Sequence, residues 1–174
     1  MHTKEEKIEA FTRLLDVQER LRKECPWDRK QTYESLRPNT IEEVFELCDA
    51  LMKDDSENIC KELGDVMEHV LFYSIIGEET NDFDMADVCN KQADKLMFRH
   101  DFINWNKEGN WKVTNPDLVI DEYGRVVYRD ELKTDDLPVG DAYKPSTANE
   151  VEMTWEQRKQ KERDGNKTVL SGVP

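Results

Sequence analysis

Apolar residues recur along this chain at intervals of three and four, the spacing that places side chains on one face of an α-helix. The pattern is clearest in two neighbouring stretches, where it predicts one core face each. The first face carries Ile41, Val44, Phe45, Cys48, Leu51 and Met52. The second carries Ile59, Leu63, Val66, Val70 and Tyr73. Because the polar residues 53–57 can form a tight turn, we expect these two helices to pack antiparallel.

The same spacing predicts three further helices. A capping box, Thr3-x-x-Glu6, opens the first, Asp84 is a suitable N-cap for another that runs to about Arg99, and a second capping box opens the last at Thr147. The first should bury Ile8, Phe11, Leu14, Leu15 and Leu21, and the one after Asp84 should bury Met85, Val88, Cys89, Ala93 and Leu96. Pro26 and Pro38 predict a loop over 24–39, with room for one helical turn.

Past residue 101 the pattern changes to short β-branched runs. Segments 112–114, 118–120 and 126–128 are strand-like, and residues 121–125 with Gly124 can turn the last two into a hairpin. Trp105 and Trp111 have large apolar side chains that need other residues to pack against. They could pack the hairpin onto the helices, close over a site or line a subunit contact, and the sequence does not rank these three.

Length and composition limit the classes of protein to which this chain can belong. A chain of 174 residues fits one domain or a domain with an insert. A formal charge of -14 argues against binding to nucleic acid or to an anionic membrane. No run of 18 apolar residues and no signal-peptide pattern is present, which predicts a cytoplasmic protein. The four cysteines, Cys25, Cys48, Cys60 and Cys89, have no paired spacing, which favours reduced structural thiols over zinc ligands, disulfides or a nucleophile.

Carboxylates occupy the flanks of the two central helices. Glu42, Glu43 and Glu46 lie opposite the first apolar face, and Glu62 and Asp65 share one flank of the second helix. If the helices pack antiparallel these acids converge, and like charges ~6 Å apart cost roughly 3 kcal/mol per pair at an effective dielectric of ~20. A divalent metal would relieve that repulsion. The alternative is a solvated acidic face, with Glu43 serving only as the capping-box partner of Thr40.

The ligand type selects the metal. Carboxylate oxygens without histidine or thiolate suit Mg²⁺ or Mn²⁺, and Mg²⁺ commonly takes phosphate oxygens as further ligands. A di-iron site in a helical bundle would use Glu-x-x-His pairs, which this chain lacks. His69, one turn beyond Asp65, keeps the di-iron site open as a minor alternative.

These acids belong to a wider set of motifs that resembles the MazG-type nucleoside triphosphate pyrophosphohydrolases. The motifs are Leu21-Arg22, Cys25-Pro26-Trp27-Asp28, Gln31-Thr32, Thr40-Ile41-Glu42-Glu43, Glu62-Leu63-Gly64-Asp65, Phe72-Tyr73, Lys95-Leu96 and Arg99-His100. The resemblance lapses after residue 100 and resumes near Gly140-Asp141. It implies an all-α fold, a MazG-like helical bundle with a small β-hairpin insert, that assembles as a homodimer.

The resemblance also implies a division of the chain. Residues 1–100 should form the helical core, 101–137 the inserted hairpin, 138–163 the closing helix and 164–174 an extended tail. The insert is expected to be dispensable for folding, because the family's core stands on both sides of it.

The implied reaction is hydrolysis of a nucleoside triphosphate to the monophosphate and pyrophosphate. Glu43, Glu46, Glu62 and Asp65 would hold Mg²⁺, or Mn²⁺, with Glu42 as a supporting group or base. Lys95 and Arg99 would steady the phosphates. The remaining residues expected to bind substrate are Trp27, Thr40, Trp155 and Lys159.

The residues expected to bind substrate could instead have purely structural roles. Trp27 could be a packing plug, and Lys95 and Arg99 could be cations favoured near a helix C-terminus. Trp155 and Lys159 could be a packing tryptophan and a solvated lysine. For the whole protein, the alternative is a non-catalytic MazG-like module that binds nucleotides or another protein. Two departures from the family pattern are Lys61, where some members have another acid, and His69, where glutamine is common.

Overall fold

A computed structural model of the chain describes residues 1–133 and 145–163. Within them the helices are α1 (Lys4–Glu24), α2 (Tyr33–Met52), α3 (Ser56–Glu79), α4 (Met85–Arg99) and α5 (Ala148–Gln160), and the strands are β1 (Leu118–Ile120) and β2 (Val126–Tyr128). The predicted all-α class with a small hairpin is confirmed. Across the described ranges, no helix has the length and apolar character needed to span a membrane. Gly140-Asp141 and the tail lie outside the described residues.

The chain forms two compact units, Met1–Val88 and Cys89–Pro174. In the first unit, Thr3 and Glu6 form the predicted capping box of α1. The α2 and α3 helices are joined by residues 53–55, where Asp54 has a positive φ of 52° and Asp55 caps α3. The predicted pair of helices linked by a short turn is therefore confirmed.

The start of α2 differs from the prediction. The helix begins at Tyr33, and its capping box joins Thr32 to Ser35 rather than Thr40 to Glu43. Pro38 lies inside the helix, where it removes one amide donor without ending the helix. Thr40 is therefore an interior residue whose hydroxyl donates to the Leu36 carbonyl at 3.1 Å. The interpretation of Glu43 as a capping residue is wrong.

The predicted core faces of α2 and α3 are only partly buried. The buried apolar residues of this unit are Leu36, Ala50, Leu71, Phe72, Ile75 and Ile76. Exposed instead are Ile41, Val44, Phe45, Cys48, Leu51 and Met52 on α2, Leu63 and Val70 on α3, and Ile8 and Leu21 on α1. Three helices in one copy leave much of the apolar surface uncovered, and the exposed fraction reaches 69% at Phe45 and 80% at Met52.

The hairpin of the second unit forms in the predicted register. Leu118 pairs with Tyr128 and Ile120 with Val126 across an antiparallel ladder. Gly124 turns the chain with a φ of +81°, and a Cβ there would lie 2.1 Å from the Asn104 Oδ1 atom. The turn therefore requires glycine, both for its backbone conformation and for the close approach of Asn104.

Segment 112–114 is not a strand, which corrects the prediction. The carboxylate of Asp94, which is buried, accepts hydrogen bonds from the Thr114 amide and hydroxyl and from the Asn115 amide. These bonds satisfy backbone donors that a strand partner would otherwise take. The buried residues of α4 are accordingly Asp94, Met97 and Phe98, whereas Cys89, Ala93 and Leu96 are exposed.

The hairpin shares one hydrophobic core with the end of α4. Met97 and Phe98 pack with Leu118, Val126 and Tyr128, and Trp105 is partly buried against them. Trp111 meets Trp105 edge-on, with ring centroids 5.1 Å apart. Trp105 therefore packs the hairpin onto a helix, the first of the three roles considered. Removing the hairpin would expose Met97 and Phe98, so the expectation that the insert is dispensable does not fit this packing.

Candidate active site

Three carboxylates from α2 and α3 meet in the first unit. One oxygen each from Glu43, Glu62 and Asp65 lies within 4.8 Å of the other two. Glu43 faces α3 because it is on the half-buried side of α2, and Glu62 and Asp65 follow each other at one helical turn. The convergence predicted for these three acids is thus present in the structure.

Glu62 is the most enclosed member of the cluster. Only 2% of the residue is exposed, and its Oε2 atom has no hydrogen-bond partner among the described residues. Its Oε1 atom accepts a hydrogen bond from the Lys61 ammonium at 2.8 Å. A buried carboxylate oxygen without a partner is costly, and a cation coordinated there would satisfy it.

The surroundings of Glu43 raise the pKa of its carboxyl group. Partial burial raises its pKa, and the neighbouring charges of Asp65 and Glu46 raise it further. A raised carboxyl pKa means that the folded, metal-free protein binds this proton more tightly than the unfolded chain does. The stability of the metal-free protein should therefore fall as the pH rises from the ordinary glutamate pKa through the raised one. A bound cation would reverse this penalty.

Glu42 and Glu46 lie beside the three-acid cluster, on an open groove. The groove has a volume of about 500 Å³ and is lined by Glu42, Phe45, Glu46, Asp49, Asn58 and Glu62. Glu42 and Glu46 are exposed, unlike Glu62. Asp49 and Asn58 were missed at the sequence level, although each lies about one helical turn from a predicted site residue. Helical spacing alone could have identified both.

The cluster fits a hard divalent cation. In an octahedral Mg²⁺ site with bonds of 2.0–2.1 Å, neighbouring ligand oxygens stand about 2.9 Å apart and opposite ones about 4.2 Å. The three carboxylates, whose oxygens lie within 4.8 Å of one another, would therefore draw closer around a bound ion. Within the described residues, the group that could hold a metal contains no histidine and no cysteine. Carboxylates alone suit Mg²⁺ or Mn²⁺ better than iron or zinc. The cluster therefore offers three carboxylate oxygens to a divalent cation.

Thr40 and His69 join α2 to α3 near these acids. The Thr40 hydroxyl contacts His69 Nδ1 at 2.8 Å and also the Tyr73 hydroxyl. With the Leu36 carbonyl as a further partner, the Thr40 hydroxyl is fully used inside the protein. Thr40 thus positions the two helices.

Trp27 is 55% exposed, so within its unit it is not a packing plug.

The substrate-binding residues predicted near the C-terminal end form a separate group in the second unit. The Arg99 guanidinium lies over the Trp155 ring, 4.6 Å from its centroid, and the Lys159 ammonium lies 4.9 Å from the same centroid. Arg99 also forms a bidentate ion pair with Glu162, one bond of which is 2.9 Å, and this pairing raises the pKa of Arg99. Lys95 is exposed. Glu162, one turn beyond Lys159, was not predicted as a partner.

Comparison with known proteins identifies relatives of this chain. Residues 31–103 match the family described as the MazG nucleotide pyrophosphohydrolase domain. The nucleoside triphosphate pyrophosphohydrolase of Escherichia coli K12 is 39% identical over 96 residues, which are 53% of this chain and 36% of that protein. The nucleoside triphosphate pyrophosphohydrolase/pyrophosphatase MazG of Thermotoga maritima is 39% identical over 101 residues, 57% of this chain and 40% of that protein.

Two further similarities extend along more of the chain. An uncharacterised 26.1 kDa protein of Streptomyces cacaoi is 30% identical over 167 residues, 93% of this chain and 54% of that protein. The crystal structure of a mazG-related protein from Thermotoga maritima superposes with a TM-score of 0.54 at 21% identity, covering 86% of this chain and 98% of that one. The latter supports the fold alone.

The extent of each match limits what it says about the site. The chain spans only 36% to 54% of the three curated relatives described here. The family match includes the three-acid cluster together with Lys95 and Arg99, and it excludes Trp27, Trp155 and Lys159. Over residues 31–103, this chain thus carries a segment that matches the MazG nucleotide pyrophosphohydrolase domain.

Proposed function

We propose that this protein hydrolyses nucleoside triphosphates to nucleoside monophosphates and pyrophosphate, with Mg²⁺ held by its acidic cluster. One observation carries the proposal: Glu62, whose buried Oε2 atom has no hydrogen-bond partner among the described residues, clusters with two further carboxylates inside a segment that matches the MazG domain. Two relatives that share this domain are named nucleoside triphosphate pyrophosphohydrolases. Mn²⁺ should replace Mg²⁺, because both prefer oxygen ligands.

In this proposal the carboxylates have distinct roles. Glu43, Glu62 and Asp65 bind the cation directly, and burial fixes Glu62 most firmly. Glu46, at the edge of the groove, completes the ligand set. When bound, Mg²⁺ neutralises phosphate charge and lowers the pKa of a coordinated water. Glu42 is exposed on the same groove as Glu46 and can accept the proton released when water attacks the α-phosphorus.

The phosphate-binding role proposed for Lys95 and Arg99 rests on their positive charge and on the resemblance. Arg99 is engaged by Glu162, so phosphate would have to compete with a carboxylate for the same guanidinium. Trp155 supports the Arg99 side chain through its ring face, and Lys159 adds a second positive charge beside that ring. Trp27 is exposed and available to contact a nucleotide, whereas Thr40 acts by positioning α2 against α3.

We further propose that the protein functions as a homodimer. Apolar side chains of α2 and α3, including Phe45, Met52 and Leu63, are more than half exposed in a single copy. Exposed apolar patches of this kind mark association surfaces. A second copy presents the same patch, so the two faces can cover each other with two-fold symmetry.

Replacing Met52 with glutamate should shift the protein from dimer to monomer. The variant places a charge on a residue that is 80% exposed in one copy and buried between two copies under the proposal. Sedimentation velocity measures the shift. Met153→Glu is the matched control, because Met153 is 65% exposed on α5 and outside this patch. A Met52→Glu protein that sediments like wild type would remove this face from the interface.

The reaction is tested by product analysis with purified protein, Mg²⁺ and a panel of canonical and damaged triphosphates. Pyrophosphate and monophosphate in equal amounts are expected. Orthophosphate with a diphosphate would place the cut at the wrong bond. Nucleotide binding without turnover would support the non-catalytic module instead.

A further inference from the structure

The side chain of Lys61 contacts two carboxylates of the acidic cluster. Its ammonium lies 2.8 Å from Glu62 Oε1 and 3.3 Å from Asp65 Oδ2. Two of the three clustered carboxylates are therefore bridged by one positive charge. The lysine side chain is 62% exposed, whereas the Glu62 side chain is 3% exposed.

The Lys61 ammonium reduces the electrostatic repulsion among the three clustered carboxylates. Glu43, Glu62 and Asp65 bring three negative charges within 4.8 Å, and Lys61 supplies a compensating cation from the residue directly before Glu62. The remaining Glu62 oxygen, Oε2, has no partner among the described residues, so the lysine offsets one of the three negative charges without filling the cluster.

A divalent cation at this cluster must compete with the Lys61 ammonium. Coordination uses carboxylate lone pairs, and Lys61 holds one oxygen of Glu62 and one of Asp65. An ammonium left in place would also lie close to the bound cation and repel it. Because the side chain is long, flexible and mostly exposed, its tip can move into water at small cost.

We infer that Lys61 is a built-in competitor of the metal: it stabilises the metal-free cluster and lowers the affinity for divalent cations. The inference rests on the proposed metal site. It makes Lys61 a positioning residue of the metal-free state, displaced when the cation binds. The protein therefore resists loss of its fold when the metal is scarce and takes up the cation only at higher concentration than the three acids alone would require.

Lys61→Gln tests this inference without any substrate. The variant should bind Mg²⁺ or Mn²⁺ about tenfold more tightly, because one nearby like charge is removed. Its metal-free form should melt at a lower temperature than wild type. Isothermal titration with each metal, and thermal melts with and without metal, measure both effects. Lys61→Arg keeps the charge and should behave like wild type.

Lys23→Gln is the matched control, because Lys23 forms an exposed pair with Glu19 one turn away on α1. Its metal affinity should equal that of wild type. If wild type binds metal and Lys61→Gln binds it with unchanged affinity, the competitor role is wrong while the metal site stands. If wild type binds neither metal, the proposed site itself fails, and the inference fails with it.

Discussion

Replacing Glu62 with glutamine should lower triphosphate hydrolysis by more than about 100-fold, since even residues that only support metal ligands contribute 10 to 100-fold. The substitution keeps the shape of a side chain that is 2% exposed and removes its charge. Stabilisation by Mg²⁺ should largely disappear. For wild type that stabilisation is about 2.7 kcal/mol at a hundredfold excess over Kd. Thermal melts with and without Mg²⁺ and a pyrophosphate assay measure the two losses.

Glu78→Gln is the control for this variant, because Glu78 is an exposed acid on the same helix, outside the cluster. It should change stability by less than about 0.5 kcal/mol and leave the response to Mg²⁺ intact. The account of the metal site would be refuted by a Glu62→Gln protein with wild-type turnover and an unchanged shift with Mg²⁺. Asp65→Asn should resemble Glu62→Gln in both measurements.

Replacing Arg158 with alanine should destabilise the second unit by about 2–6 kcal/mol, because each of two buried carbonyl groups left without a donor costs about 1–3 kcal/mol. The guanidinium donates to the carbonyl oxygens of Phe98 and Val126 at 3.0 and 2.7 Å, and it lies 3.4 Å from Asp101. It also stacks over the Phe98 ring at 4.0 Å. Alanine leaves two buried carbonyl groups without this donor, which is costly. Urea unfolding followed by tryptophan fluorescence measures the change.

Arg163→Ala provides the comparison. Arg163 forms a bidentate ion pair with Asp130 at 2.9 Å and, like Arg158, lies over an aromatic ring, that of Tyr128. Its side chain is 50% exposed, so water replaces much of what the substitution removes. Its loss should cost no more than about 1 kcal/mol. Equal effects of the two substitutions would mean that burial of Arg158 does not hold α5 to the hairpin.

Local signals made much of the fold predictable. The capping boxes at Thr3 and Thr147 and the hairpin turn at Gly124 depend on a few adjacent residues, and all three form as expected. The convergence of Glu43 with Glu62 and Asp65 followed from helical spacing and a short turn. Such features require no knowledge of which distant surfaces meet.

Features that depend on packing were not predictable. The apolar faces of α2 and α3 were identified, but the described chain buries only part of them, because burial depends on which other surfaces pack against each face. Asp94 would be read as a solvated acid in an amphipathic helix, whereas it satisfies the amides of Thr114 and Asn115. The same holds for Lys61, since a lysine before an acidic motif gives no sign that its ammonium bridges two carboxylates.

Hydrolysis in ¹⁸O-labelled water, with products analysed by mass spectrometry, tests the central claim most directly. If the acidic cluster directs a metal-bound water to the α-phosphorus, wild type with Mg²⁺ should release unlabelled pyrophosphate and a monophosphate carrying one ¹⁸O atom. The rate should collapse in Glu62→Gln. Labelled orthophosphate together with a nucleoside diphosphate would show attack at the terminal phosphorus and contradict the account.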